Sequence, residues 1–224
     1  MMIFTNELKP TDRERLIPIR KVDLHVHTSE RSPCATSGEE EQIRAAIAAG
    51  LEAIFFTDHH RFIPLERLEI LNREYAPFRV FGGIEVTSQG EDFILLGGRE
   101  ARLEVPDWPY SELHAWARAN NAFIALAHPF RYHEGVQVDL ERFPPDAIEV
   151  YSPNIRASSE THIRELAAHL NLPVLCNSDA HTSQRLGQYF NILEQSVFEE
   201  QDLFFMLKAG RFSCQKENQT AKSD

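Results

Sequence analysis

The chain is poor in the features that mark several common classes of protein. It has only three cysteines in 224 residues, Cys34, Cys176 and Cys214, odd in number and widely scattered. That spacing argues against a secreted disulfide framework and for a reducing cytoplasm. Long apolar runs are missing too. Met1 to Pro10 carries Asn6, Glu7 and Lys9 where a signal peptide needs apolar residues, and no segment approaches the length of a membrane span. Positive charge is scarce: 23 Lys and Arg against 34 Asp and Glu give a formal net charge of −11. Such a field repels polyanions and weighs against a general nucleic-acid binder. Gly-Lys-Ser/Thr is absent, and Gly82-Gly83 and Gly97-Gly98 lack the strand-to-helix setting of a P-loop. No Gly-x-Ser-x-Gly surrounds Ser178, which argues against a serine hydrolase. There is no internal repeat and no low-complexity tract.

What is present is a set of short polar signatures, each placed where an apolar, β-prone run ends. They are Asp23-Leu24-His25-Val26-His27, Thr57-Asp58-His59, Gly83-Ile84-Glu85, His128-Pro129 and Ser178-Asp179-Ala180-His181. Alternate residues of a strand share a face, so His25 and His27 can reach one ion while Val26 packs the other way. Between the signatures, strand-length runs alternate with helical periods. Strands are expected at 22–27, 52–57, 79–86, 93–97, 122–127, 147–151, 173–177 and 190–193, with 79–86 and 93–97 joined as a hairpin through Gln89-Gly90. Helices are expected at 64–75, 109–120, 157–170 and 199–209. A further one follows the capping box Ser37-x-x-Glu40, has Ile43, Ala46 and Ile47 on one face, and stops at Gly50. The Glu39-Glu40-Glu41 run at its start complements the helix dipole. Strand-helix alternation with chemistry at many strand ends favours an α/β barrel over a doubly wound sheet, with the site on the C-terminal face. Residues 1–214 make one domain of this size, and 215–224 form a polar tail expected to be disordered.

In their order and spacing the five signatures resemble those of the polymerase and histidinol phosphatase (PHP) family, over roughly residues 20 to 194. The resemblance implies a distorted, TIM-barrel-like (β/α)7 fold with two or three divalent metals, Zn, Mn or Fe, and phosphoester hydrolysis. Carried over residue by residue, His25, His27 and Asp179 resemble the ligands of a first ion. Glu85 resembles a carboxylate bridging first and second, His128 a ligand of the second, and His59 with His181 ligands of a third. Imidazole and carboxylate suit those metals without selecting one. Asp23 and Asp58 stand beside ligand histidines as possible orienting carboxylates. This chain departs from the family pattern after the first motif, where Cys34 or Glu30 stands in for a further ligand, and after Gly83-Ile84-Glu85, where Asp92 does so.

The expected reaction is hydrolysis of a phosphate ester of a small soluble metabolite, a nucleotide, sugar phosphate or histidinol-phosphate-like compound, by metal-activated hydroxide. Arg131 and Arg185 are candidate phosphate contacts, the planar guanidinium being suited to two oxygens at once. His60, His133 and Asp179 are candidate proton sources for the leaving group. His114, His162 and His169 fall in helices and read as ordinary surface histidines. Two alternatives stand beside this reading: a nuclease on the same scaffold, for which Tyr132 and Tyr151 could stack bases but basic residues do not cluster, and a catalytically inactive metal-binding module. The oligomeric state is left open by the sequence.

Overall fold

The computed structural model describes residues 17–216. Nine strands run β1 (Ile19–Val26), β2 (Ala53–Phe56), β3 (Arg79–Ser88), β4 (Glu91–Leu96), β5 (Phe123–Ala127), β6 (Ala147–Tyr151), β7 (Val174–Cys176), β8 (Tyr189–Val197) and β9 (Phe212–Lys216). Five α-helices are interleaved: α1 (Glu39–Ala48), α2 (Leu65–Glu74), α3 (Tyr110–Ala119), α4 (Glu160–His169) and α5 (Glu200–Lys208). The strands form one sheet in the order β7-β6-β5-β4-β3-β2-β1-β8-β9. Its two edges come back together, with the Cα atoms of Cys176 in β7 and Cys214 in β9 5.1 Å apart, so the sheet is a nearly closed barrel.

The barrel is distorted because it is not wholly parallel. β1, β2 and β3 pair in parallel, as do β5, β6 and β7. β4 is antiparallel to both its neighbours, and β8, antiparallel to β1, pairs antiparallel with β9, which returns to it after α5. The expected hairpin is confirmed: Gln89 and Gly90 both take positive φ, 52° and 88°, the geometry a two-residue turn between twisted strands demands. β8 is longer than the expected 190–193, and β9 was not expected at all. It draws Gln215 and Lys216 into the sheet and out of the supposed tail, whose remainder, 217–224, lies outside the described residues.

The cysteine reading also changes, since Cys176 and Cys214 pair as a disulfide across the seam while Cys34 stays free and exposed. A separation of 38 residues is bridged because β7 and β9 are the two edges of the sheet. Among the described residues no helix is long and apolar enough to cross a membrane.

The core is layered. Inward positions such as Phe55, Phe81, Ile94, Phe123, Ala147 and Leu175 fill the barrel with Leu203, Met206 and Leu207 of α5 packed against them. Outward residues Ile54, Phe56 and Val80 meet α1 and α2, while Phe93, Ile124 and Ile148 meet α3 and α4. β2 is buried on both faces, as its unbroken apolar run requires. The start of α1 departs from the expected capping box. Gly38 is the N-cap, Ser37 Oγ accepts from the Ser183 N–H, and the Glu30 carboxylate accepts from the Glu39 N–H at 3.2 Å. Glu30 is thus committed to a helix N-terminus, where its charge also complements the dipole. Ile47 is largely exposed, and only Ile43 and Ala46 of the expected face enter the core.

Candidate metal centre

Following each inward row toward the C-terminal ends of the parallel strands, the side chains change from apolar to polar. Phe81 gives way to Glu85, Ala147 to Glu149, Leu175 to Asn177, and on the antiparallel strands Ile94 gives way to Asp92 and Leu193 to Asn191. In β1 the alternation itself breaks. The register against β2 shifts between Asp23 and Val26, so that Val22 and Leu24 stay in the barrel core while Val26 joins the outer layer. A bulge of this kind re-aims side chains, and it brings His25 and His27 to the cavity above Leu24. Gly83 is glycine because a Cβ there would stand 2.5 Å from a Leu96 methyl and 2.9 Å from the Leu95 carbonyl oxygen. That close approach of β3 to β4 sets Glu85 at the centre.

Three groups of donor atoms result, each mutually within 4.8 Å: His25, His27 and Asp179; His25, Glu85 and His128; and His27, His59 and His181. All seven residues singled out as ligands in the sequence therefore meet at one rim. Glu85 is fully surrounded, 3.3 Å from both His25 Nε2 and His27 Nε2, 3.0 Å from His128 Nε2 and 2.7 Å from His59 Nδ1. His128 and Asp179 hold positive φ, 26° and 44°, a costly backbone for non-glycine residues that functional sites tolerate.

Hydrogen bonding assigns the imidazole protons. Ser32 Oγ donates to Asp58 Oδ1 at 2.7 Å, so toward His27 Nδ1, 3.3 Å away, it can only accept. His27 then carries its proton on Nδ1 and turns a bare Nε2 inward. Asp58 holds this loop with further bonds from the Thr28 N–H and Arg31 Nε, fulfilling the orienting role through Ser32. Asp23 behaves differently. It accepts from the backbone N–H groups of His25 and Ser178 and touches no ligand ring, and burial pushes its carboxyl up to about 7.

Acceptors crowd the centre. Burial lowers His27 to about 4, leaving it neutral. Burial opposes the charging of His25, but Asp179, Glu85 and Glu149 together hold it well above the usual histidine range. Its Nε2 faces His27 Nε2 at 3.0 Å, so a proton on His25 is what separates two lone pairs. Burial alone would raise Glu85 and Asp179, yet the charge on His25 keeps both well below the carboxylate range, helped at Glu85 by the bond between its Oε1 and His128 Nε2. Even so, Glu85 Oε2 and Asp179 Oδ1 are buried without a hydrogen-bond partner. Buried carboxylate oxygens that lie 2.7 and 3.1 Å from imidazole nitrogens of His59 and His27 yet accept no well-formed hydrogen bond fit a divalent cation, and a mixed N/O donor set suits Zn, Mn or Fe.

The remaining candidates sort by place. Arg131 reaches the centre, its Nη1 3.4 Å from His128 Nε2 and 3.9 Å from Asp179 Oδ2, and lies over the Tyr132 ring. Asn154, which the sequence reading passed over, donates to Asp179 Oδ2. Asp92 stands outside the three groups, 3.8 Å from His128 Nε2, with its other oxygen accepting from Thr87 Oγ1 at 2.6 Å. Cys34 and Glu30 also lie outside them. His60 turns its Nε2 to the Thr87 N–H, and burial lowers its pKa, which disfavours it as an acid. His133 is exposed against Gly90, and Arg185 is exposed with no polar side-chain partner among the described residues. Glu149, fully buried, lies within the expected strand 147–151, and no spacing signal sets it apart as a site residue.

A family model described as PHP-associated matches residues 160–212. No curated protein matches the sequence significantly. Solved structures share the fold at low identity. PsfC from Pseudomonas syringae PB-5123 is 20% identical, with 91% of this chain and 93% of that one covered and a TM-score of 0.70. A two-domain protein containing a predicted PHP-like metal-dependent phosphoesterase from Bacteroides vulgatus is 14% identical, with 90% and 67% covered and a TM-score of 0.66. The lesion-specific endonuclease PfuEndoQ from Pyrococcus furiosus is 16% identical, with 85% and 56% covered and a TM-score of 0.65.

Proposed function

We propose that this chain is a PHP-type protein, a reading supported by the PHP-associated match over residues 160–212, and that it hydrolyses a phosphate ester of a small soluble metabolite with the help of two or three divalent cations. The observation that carries the proposal is the convergence of three His/carboxylate groups around two buried carboxylate oxygens that accept no hydrogen bond. His25, His27 and Asp179 would hold one cation, His25 or His128 with Glu85 a second, and His27, His59 and His181 a third. Bound there, divalent cations supply Lewis acidity, acidifying water and offsetting the charge on phosphate oxygens.

The chain's own residues do the rest. Ser32 fixes the His27 ring through Nδ1, so its lone pair is aimed before any ligand arrives. Arg131, half-buried at the rim and only loosely paired with Asp179 at 3.9 Å, can turn its fork onto a phosphate entering over Tyr132. Asp179, held ionised, can take a proton but is a poor donor of one. A small substrate is favoured over a polynucleotide because the whole-chain charge of −11 repels a polyanion.

The test is a chromogenic aryl phosphate assay on chelator-stripped protein with and without Mn or Zn. Metal-dependent turnover, inhibited more strongly by a nucleoside monophosphate than by a single-stranded oligonucleotide, is expected. Turnover that ignores the metal would overturn the proposal, and stronger inhibition by the oligonucleotide would point to a nuclease instead.

A further inference from the structure

We infer that Glu149 is the positioning residue of the metal centre, a single buried carboxylate that fixes three ligand-bearing strand ends relative to one another. The inference rests on the reading that the centre holds cations. Glu149 is the one charged side chain in the run Ala147-Ile148-Glu149-Val150 and is wholly inaccessible to solvent. An isolated carboxylate in such a place is costly unless it is compensated by hydrogen bonds or charge. The compensation comes from three donors on three different segments. His25 Nδ1 on β1 lies 3.2 Å from Oε1, Asn177 Nδ2 after β7 donates to the same oxygen at 2.9 Å, and the His128 backbone N–H after β5 donates to Oε2 at 3.0 Å.

Each donor belongs to the ligand set or carries it. With its Nδ1–H directed to Glu149, His25 must present Nε2 to Glu85 and Asp179, which lie 3.3 and 3.4 Å away. His128 sits at φ 26°, and the bond from its own N–H to Glu149 is what holds that unusual backbone in register. Asn177 is two residues before Asp179, and its Oδ1 accepts from the Leu24 N–H and from Asn191 Nδ2. The carboxylate therefore ties β1, β5 and β7 at the level of the ligands. An amide in its place can keep an acceptor toward His25 and Asn177 only by turning its own N–H groups onto the His128 N–H.

The test uses the full chain, stripped with chelator, with Mn alone as the probe and no substrate. Glu149→Gln is expected to keep the fold, monitored by thermal melting, and to weaken Mn binding by about 10- to 100-fold, the range seen for loss of an outer carboxylate partner. Mn binding at the wild-type level in a folded Glu149→Gln protein would overturn the inference. The wild-type protein provides a second measurement that does not depend on the variant folding. In its Zn-loaded form, the 15N spectrum of His25 should show a proton on Nδ1 and a coordinated Nε2; a bare or coordinated Nδ1 would overturn the inference as well. Failure of the phosphoesterase reading is distinguishable, because a wild-type protein that binds Mn without turning over aryl phosphate defeats that reading and leaves the role of Glu149 standing.

Discussion

Stripping cations from the protein should lower its melting temperature by an amount the structure lets us bound. Two buried carboxylate oxygens accept no well-formed hydrogen bond, and two imidazole Nε2 atoms face each other at 3.0 Å, so the metal-free centre depends on protons where a cation fits. A cation that binds the native state alone, at about 100 times its dissociation constant, stabilises by about 2.7 kcal/mol. For a folded unit of this size each kcal/mol moves the midpoint by about 2–4 °C, so a single occupied site raises Tm by about 5–11 °C. Scanning calorimetry across a Mn or Zn titration of chelated protein reads this directly. Glu85→Gln removes the carboxylate that touches four imidazoles. It should cost at least the roughly 10- to 100-fold in affinity seen when even an outer partner is lost. With the cation concentration unchanged, the stabilisation falls from about 2.7 to about 1.4–0.4 kcal/mol, so from half to most of the one-site shift is lost. If Mn, Zn and Fe all leave the melting curve of the stripped protein unchanged, the centre is a hydrogen-bonded polar core and the argument from unpartnered oxygens is wrong.

The size of that shift should also depend on pH. In the metal-free protein His25, His59 and His128 are raised above 6.5; burial opposes this, and the neighbouring carboxylates outweigh it. A raised histidine contributes stability that is present below 6.5 and lost as pH climbs through the folded value, so the metal-free Tm should fall as pH rises above 6.5. A cation replaces those protons, so the metal-induced increment should grow over the same window; calorimetry at several pH values, showing a flat or shrinking increment, would contradict the proton-for-cation exchange. Arg131→Ala should weaken inhibition by inorganic phosphate by roughly 10- to 150-fold, the equivalent of a charge-assisted hydrogen bond of about 1.5–3 kcal/mol, while metal content by mass spectrometry stays at the wild-type level. Cys34→Ser should leave metal content and turnover unchanged, because its exposed thiol stands outside all three ligand groups; a loss of bound metal would make Cys34 a ligand after all.

The barrel was legible where burial alone dictates a strand. Ala53 to Phe56 has no polar residue to alternate with, and a segment buried on both faces belongs inside a helix-covered sheet. The same logic failed for β9. Phe212-Ser213-Cys214-Gln215-Lys216 is half-exposed along its length and is a strand only because β8 offers it an edge, a partner the local sequence does not announce. The capping box failed for a related reason. Ser37 and Glu40 have the right spacing, but Glu30, nine residues before Glu39, reaches the helix N-terminus, leaving Ser37 to bind Ser183.

The centre was legible to the extent that its residues sit in short motifs, and the seven candidate ligands do. Glu149 does not, because its partners lie 124, 21 and 28 residues away and nothing near it in sequence repeats. A strand's own sequence gives the parity of its side chains, so each inward row can be written down strand by strand. It does not give the height at which one row meets the next, since that is fixed by stagger around the barrel and by irregularities such as the break in β1 between Asp23 and Val26. His25 illustrates the difference. Parity assigns it to the same face as His27, but strict alternation through β1 would put Leu24 on the opposite face, whereas Leu24 lies in the barrel core below them. The bulge that resolves this conflict also sets His25 at the level of Glu149, so the residue most easily read from sequence is held in place by the one least so.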